Sequence, residues 1–584
     1  MNDAPIARPV RSLTTVTNQL LHRGSPYEVE VVEIDGVPTR VWRNADPTLR
    51  ASLEKMRSYG DAPALVYAEE RLSHAEFYRH AATMAHRMAG EYGIAKGDRV
   101  ALALRNYPEW VIAYYAAAAL GAVLVPLNAW WTGSELEYGL SDSGASLLVA
   151  DEERIAALGG VPRRLDLPVI AVRTSGALPE GVRAWPDVLG EVAEDVRLPE
   201  ADPAPDEPAN IFYTSGTTGR PKGAVGSHRN MISNQLSADY ARMRSLMRLG
   251  LDMGDAQAFL DAVSSPVVLC VVPLFHTTGA QSVMHPTLAK GGALVLMYKW
   301  SPEEALRLIE RERVAAITAV PAMIAQMLAS PKLGEHDLSS LLVLASGGAP
   351  APPALVSRAR AGMHDLMLAQ GYGLTESSAT ATVNGGSDYL LRPDSAGLPV
   401  AVVDVKIVGA GGEELPPGEV GEVWINGPGI VHGYWNRPDA TAASFTDGWL
   451  HTGDLGRLDE EGFLYIVDRA KDMIIRGGEN VYCAEVEAAV HEHPAVAEVA
   501  VMGVPHEVYG EEVGAVVRAL PGTSLTEEEL RAFLADRLAA FKIPAHIRIA
   551  EGELPRNAAG KLLKNRLKRD HGWLEEAGDA PAAG

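Results

Sequence analysis

Cysteine is nearly missing: the 584 residues hold two, Cys270 and Cys483. Two thiols cannot make a disulfide scaffold or a thiolate zinc site, and each lies in an apolar or mixed run. Both are expected to be reduced thiols of a cytoplasmic protein. The N-terminal MNDAPIARPVRSL contains no apolar h-region, so nothing in it marks export and none is expected. The one long uncharged stretch, Trp110 to Leu127, is divided by Gly121 and Pro126. It reads as an Ala-rich helix opening after Asn106 and Pro108, then a short strand AVLVPL, and not as a membrane span. Positive charge is in deficit: 52 Lys and Arg against 75 Asp and Glu give −23, which argues against a general nucleic-acid binder. No internal repeat of short period is evident, and the chain carries no long low-complexity segment.

The chain is too long for one hydrophobic core, and its 47% hydrophobic and 22% charged residues are ordinary for a folded protein. From Pro63 onward strands and helices alternate. Leu65 to Tyr67 is extended, Ser73 and Glu76 form a capping box for a helix to about Gly90, and Arg99 to Leu104 is an apolar strand. The Trp110 helix, AVLVPL, a helix in GSELEYGLSDSG and the strand SLLVA complete a doubly wound, mainly parallel sheet. VVLCVVPLF, GALVLM, AAITAVP and LLVLASGG repeat the theme and predict a second such sheet. The fold class is therefore α/β, two doubly wound sheets followed by smaller parts.

Ahead of this, EVEVVEIDGVPTRVW is a hairpin candidate turning at Asp35 and Gly36, part of a substrate cover or an oligomer contact. Met243, Met247 and Met253 either line an adaptable apolar site or pack as ordinary helix residues. After Leu391 short strands and Gly/Pro turns indicate a small β subdomain, and near Asp468 to Asp472 the texture changes again. These shifts place a large N-terminal domain at 1–470 with its β subdomain at about 392–470. A small mobile α+β C-terminal domain follows at 471–570, then a disordered tail at 571–584.

YTSGTTGRPKG, Tyr213 to Gly223, is too poor in apolar side chains for a core, yet follows the apolar Ile211 and Phe212. Gly216, Gly219 and Gly223 let backbone N–H groups turn inward as an anion nest. Ser215, Thr217 and Thr218 add hydroxyls and Lys222 a point charge, a combination suited to polyphosphate. A Walker A loop counted from Gly216 needs Gly at 221 and Ser or Thr at 223, where Pro221 and Gly223 stand. Any metal must then be held from elsewhere.

Further glycine-flanked turns follow predicted strands. SGGAP offers Gly347, Gly348 and Ala349 for close approach, and QGYGLTE offers the flat Tyr372 ring and the hard oxygen ligand Glu376. GWLHTGDLG places Asp454 where it can accept from vicinal hydroxyls, PLFHTTG places His276 after a buried strand, and PRNAAGKLLK sets Lys561 on a turn.

In this order these motifs resemble those of the adenylate-forming superfamily, which includes acyl-CoA synthetases, peptide-synthetase adenylation domains and luciferases. The resemblance runs from about Ala62 to Lys564. It implies that Thr214, Ser215, Gly216, Thr217, Thr218, Gly219 and Lys222 hold ATP phosphates, and that Gly347, Gly348, Ala349, Gln370, Gly371, Tyr372, Gly373 and Leu374 surround the nucleotide. It makes Thr375 and Glu376 a catalytic pair, with Glu376 and Thr214 toward Mg²⁺, and Asp454 and Arg469 ribose contacts. Lys471 falls at the hinge and Lys561 is the cation of adenylation. His276, with Gly348 and Gly373, bounds the acyl pocket. Phe275 to Gly279 contain no acidic residue to bind an α-amino group, so a simple carboxylic acid fits. Gly477 and Gly478 of RGGENVYCAEVE lie where the family runs pantetheine, with Cys483 in place of an expected proline, which loosens that turn.

The resemblance implies an AMP-forming acyl-CoA synthetase using ATP, Mg²⁺ and CoA as co-substrate. Its first expected acid is a medium- or long-chain fatty acid and its second an aryl acid. An acyl-AMP ligase loading a carrier protein or other acceptor is the alternative, against which no inserted block is found between Asp468 and Tyr482. Expected partners are small molecules, with no nucleic acid and no membrane span; a homodimer is compatible.

Overall fold

A computed structural model describes residues 9–214, 220–262, 266–349, 351, 353–362, 366–477, 479–520, 522–556 and 562–573. Ser215, Gly216, Thr217, Thr218, Gly219, Gly478, Lys561 and the 574–584 part of the expected tail lie outside the described residues. The chain divides into two compact units, one of residues 1–351, 359–405 and 424–451, the other of 352–358, 406–423 and 452–584.

The first unit contains two large sheets among the described residues. The seven-stranded sheet runs Gly223–Ser227, Pro208–Tyr213, Val123–Pro126, Arg99–Ala103, Leu147–Asp151, Val169–Val172, Val182–Ala184. It is parallel except where Gly223–Ser227 turns back on Pro208–Tyr213. The nine-stranded sheet contains Met367–Tyr372, Val343–Gly347, Ala316–Ala319, Val267–Cys270, Ala293–Leu296 and Pro63–Tyr67 as successive parallel neighbours. The α/β class is as expected. One placement is not: Pro63–Tyr67 belongs to this second sheet, with Leu65 opposite Leu294, and not to the first. Its apolar pattern suits either sheet, and only long-range pairing decides.

Local chemistry explains the elements. Ser73 and Glu76 form the reciprocal capping box that opens helix His74–Tyr92, and Gly93 closes it in the left-handed conformation. Helix Pro108–Ala119 is buried on all sides, which is why Trp110 to Leu127 carries no charge. Asp35 and Gly36 both take positive φ, 49° and 80°, the two-residue turn that matches strand twist between Val29–Ile34 and Val37–Trp42. The hairpin is held to its own unit: the Trp42 indole donates to Ser237 at 3.0 Å and Arg40 pairs with Asp404 at 2.6 Å. Helix His228–Arg248 packs Met243 and Met247, each 1% exposed, whereas Met253 is 36% exposed. Two of the three methionines are thus packing residues.

In the second unit Val496–His506 and Gly510–Ala519 pair antiparallel and His546–Ala550 lies parallel to the latter. Helices Cys483–His491 and Glu527–Ala535 cover this sheet through Val486, Val490, Leu530 and Leu534, packed with Val501 and Ile547. It is a small α+β body with its own core. Among the described residues no helix is long and apolar enough to cross a membrane.

Candidate active site

Strands Val343–Gly347 and Met367–Tyr372 run in parallel register, with Gly347 opposite Gly371 and Ser346 opposite Gln370. Their C-terminal ends carry the two expected nucleotide motifs, as open α/β sheets require of a ligand site. Gly348 has φ +76°, and half-buried Ala349 follows it. Gln370 accepts from the Tyr389 hydroxyl at 2.9 Å. At Gly373 a Cβ would lie 2.1 Å from the Ala379 carbonyl, so a side chain there would displace the turn. That turn is tight: Thr375–Ser377 is a single 3₁₀ turn, Leu374 N–H donates to the Ser377 hydroxyl at 2.9 Å, and Ser378 and Ala379 take φ of 53° and 82°. The Asn234 amide donates to the Ser378 carbonyl at 2.6 Å and fixes it from helix His228–Arg248.

The loop's flanks are closed by Thr214 N–H donating to the Lys222 carbonyl at 2.8 Å. Beyond Lys222, strand Gly223–Ser227 pairs on its other side with residues 431–435. His432 N–H donates to Val225 at 2.9 Å, Val225 N–H to Gly433 at 2.9 Å, and Trp435 N–H to Gly223 at 2.8 Å. Val431 N–H donates to the Glu376 carbonyl at 3.0 Å. Tyr434, absent from the expected site, therefore stands between two expected residues. Its hydroxyl donates to Glu376 Oε1 at 2.7 Å, and Lys222 Nζ lies 4.5 Å from its ring centroid. Burial, then the Glu376 charge, pushes the Tyr434 hydroxyl pKa up, so it stays a proton donor.

Glu376 and Thr214 supply hard oxygens of the kind Mg²⁺ takes. Among the described residues no group of three or more His, Cys, Asp or Glu could hold an ion. One carboxylate and one hydroxyl suit a Mg²⁺ that keeps waters and phosphate oxygens in its shell. The residues present fit that ion.

His276 follows strand Val267–Cys270 on a segment held by Asn106, whose amide donates to Val272 O at 3.0 Å and whose Oδ1 accepts from Leu274 N–H at 2.9 Å. The chain then enters a π-helical turn, Thr278–Met284, a form frequent at functional sites. Ser282 and Thr380 hydroxyls meet at 3.0 Å, joining the His276 segment to the turn after Glu376.

In the second unit Asp454 and Arg469 face each other on paired strands Trp449–Leu458 and Leu464–Arg469 and form a 3.1 Å ion pair. Asp454 is 4% exposed, and its N–H donates to the Thr452 hydroxyl at 3.0 Å. Burial, then the Arg469 charge, lowers the Lys471 pKa. Gly477 has φ +60° and donates to the Tyr509 carbonyl at 2.8 Å. The turn at Cys483 is tied where looseness is expected: its N–H donates to the Asp468 carboxylate and its thiol to the Asp472 carbonyl at 3.0 Å. Proline has no N–H for that first tie.

Two large, mainly parallel sheets with glycine turns at their strand ends, the Asp454–Arg469 pair on its own antiparallel strands, and a small α+β body with its own core are the architecture of an adenylate-forming enzyme. Residues 53–435 match the AMP-binding enzyme family and residues 485–561 the AMP-binding enzyme C-terminal domain, so the chain belongs to this family of ATP-dependent acyl- and aryl-CoA ligases, AMP-forming acid–thiol ligases. It is 36% identical over 524 residues to a feruloyl-CoA synthase of an Amycolatopsis species, covering 89% of this chain and 98% of that one. It is 37% identical over 489 residues to long-chain-fatty-acid–CoA ligase FadD13 of Mycobacterium tuberculosis, covering 82% and 89%. Among solved structures, o-succinylbenzoate CoA synthetase of Bacillus subtilis in complex with the acyl-adenylate OSB-AMP superposes with TM-score 0.74 at 31% identity, over 89% of this chain and 98% of that one. Enzymes of this family use ATP with Mg²⁺, and CoA.

Proposed function

We propose that this chain activates a simple carboxylic acid as acyl-AMP and transfers the acyl group to CoA. The observation that carries it is the pair Lys222 and Glu376 held on one tyrosine, next to the paired flanks Thr214 and Lys222 of the glycine-rich loop. Lys222 and the loop hold the pyrophosphate, Asp454 and Arg469 hold the ribose, and Gly347, Gly348, Gly371, Tyr372 and Gly373 leave a flat slot for adenine. Glu376 and Thr214 would hold Mg²⁺, which would neutralise phosphate charge there. The acid's carboxylate attacks the α-phosphate, a P–O bond to pyrophosphate breaks, and Lys561 stabilises the developing charge. The body from 471 to 570 then turns about Lys471, bringing Gly477 and Gly478 to the pantetheine path, and the CoA thiol displaces AMP. Positioning and charge stabilisation suffice, without a covalent enzyme intermediate.

For the acid, an aryl carboxylate is the first reading, supported by the feruloyl-CoA and o-succinylbenzoate relatives and by Met243 and Met247 being used in packing. A medium- or long-chain fatty acid is the second, supported by the FadD13 relative and the uncharged Phe275 to Gly279. The enzyme works in the cytoplasm on small molecules.

A panel of aryl and fatty acids, assayed for pyrophosphate release with and without CoA, tests this. Turnover indifferent to CoA favours loading of another acceptor, and no acid-dependent release from any member overturns the function. Lys561→Ala is expected to cut acyl-AMP formation about 10²-fold or more while sparing thioester formation from supplied acyl-AMP. Equal loss of both steps contradicts the two-conformation reaction.

A further inference from the structure

A lysine and a glutamate in one polyphosphate site attract each other, and if they pair directly each is withdrawn from the ligand. Here they share a neutral residue instead. Tyr434 gives Glu376 Oε1 a hydrogen bond at 2.7 Å and gives the Lys222 ammonium a ring face at 4.5 Å. Among the described residues neither charge stands in a salt bridge. A phenol can serve both groups at once, because its hydroxyl donates to an anion and its π face attracts a cation, with no charge of its own to quench either.

The ring is firmly held. Tyr434 N–H donates to the Thr441 hydroxyl at 2.9 Å, Phe445 packs edge-on at 6.0 Å, and residues on both sides of Tyr434 pair with strand Gly223–Ser227. Gly433, at φ +132°, has Thr441 Cγ2 2.4 Å from where its Cβ would stand, so the chain can present Tyr434 only with glycine before it. The carbonyl of Glu376 is fixed from the same segment by Val431 N–H at 3.0 Å. Backbone and side chain of the candidate metal ligand are thus both positioned by residues 431–434.

We infer that Tyr434 is a positioning residue that keeps Glu376 and Lys222 apart from each other and available to Mg²⁺ and phosphate. This rests on the proposed function. Orienting Glu376 through Oε1 leaves its second oxygen for the cation, and holding Lys222 over the ring leaves its N–H donors for phosphate.

The two halves of the role separate by mutation. Tyr434→Phe keeps the ring face and removes the hydroxyl; Tyr434→Leu removes both. ATP binding without any carboxylic acid is measured by calorimetry at a series of Mg²⁺ concentrations, alongside melting temperature. Tyr434→Phe is expected to raise the Mg²⁺ needed for half-maximal ATP binding about 10-fold, with affinity at saturating Mg²⁺ nearly kept. Tyr434→Leu is expected to lower ATP affinity even at saturating Mg²⁺. Wild-type-like Mg²⁺ dependence in Tyr434→Phe overturns the inference and leaves the function standing. A parallel loss in both variants that tracks a fall in melting temperature also overturns it, as a structural effect. A wild-type chain that binds no ATP overturns the function and this inference together.

Discussion

Charge is handled in two ways. In the first unit, Lys222 and Glu376 are held by a tyrosine, and among the described residues no opposite charge forms a salt bridge with either. In the second unit, apart from the expected ribose contacts, charges are paired with one another: Glu498 with Arg518 at 2.8 Å and Arg556 at 2.9 Å, and Glu487 with Lys564 at 2.9 Å. A free charge costs stability and is kept for a ligand; a paired one is largely spent on holding its own fold. The two groups should therefore fail differently when broken.

The largest expected effect is on the free pair. Glu376→Gln should lower acid-dependent pyrophosphate release about 10²-fold or more with an unchanged melting temperature, since Glu376 is held for ligand charge. A stability loss as large as the activity loss would erase the distinction. On the paired side, Glu498→Ala removes the carboxylate that Arg518 and Arg556 share. It should destabilise the second unit by about 1–2 kcal/mol, read by denaturant unfolding followed in that unit.

The third prediction concerns pH. Burial pushes the Asp468 carboxyl from 3.8 to about 6, against the N–H donors of Arg469 and Cys483. Because the folded state binds this proton more tightly, the stability it contributes is full below pH 3.8 and is lost as pH rises through 6. Asp468→Asn removes the titration, so relative to the wild type its stability should improve by about 2–3 kcal/mol between pH 4 and pH 7. A gap that does not move with pH shows Asp468 to be hydrated in the folded state.

Local features were legible in the sequence. The Ser73/Glu76 box, the Asp35-Gly36 turn and the division of Trp110 to Leu127 into helix and strand depend on neighbours in the chain, and the structure has each of them. Glycine clusters at strand ends were legible because so few residues allow close backbone approach. What depends on distant pairing was not. The sheet that receives Pro63–Tyr67 is chosen by Ala293–Leu296, far along the chain. Tyr434 escaped for the same reason: in VHGYWN it is one aromatic among several, and only pairing of 431–435 with Gly223–Ser227 brings it to Lys222 and Glu376. Cys483 stood out as a departure from pattern, but the tie it makes to Asp468 needed coordinates.

The N-terminal hairpin has a practical consequence. At its tip Asp35 meets His432 Nδ1 at 2.6 Å, two residues before Tyr434, while Arg40 and Trp42 are tied to Asp404 and Ser237. A shortened chain starting after residue 36 keeps every expected site residue yet loses the brace on the segment that presents Tyr434. In a truncation series, nucleotide affinity should decline before secondary structure does, so a tag or fusion partner belongs at the far end of the chain.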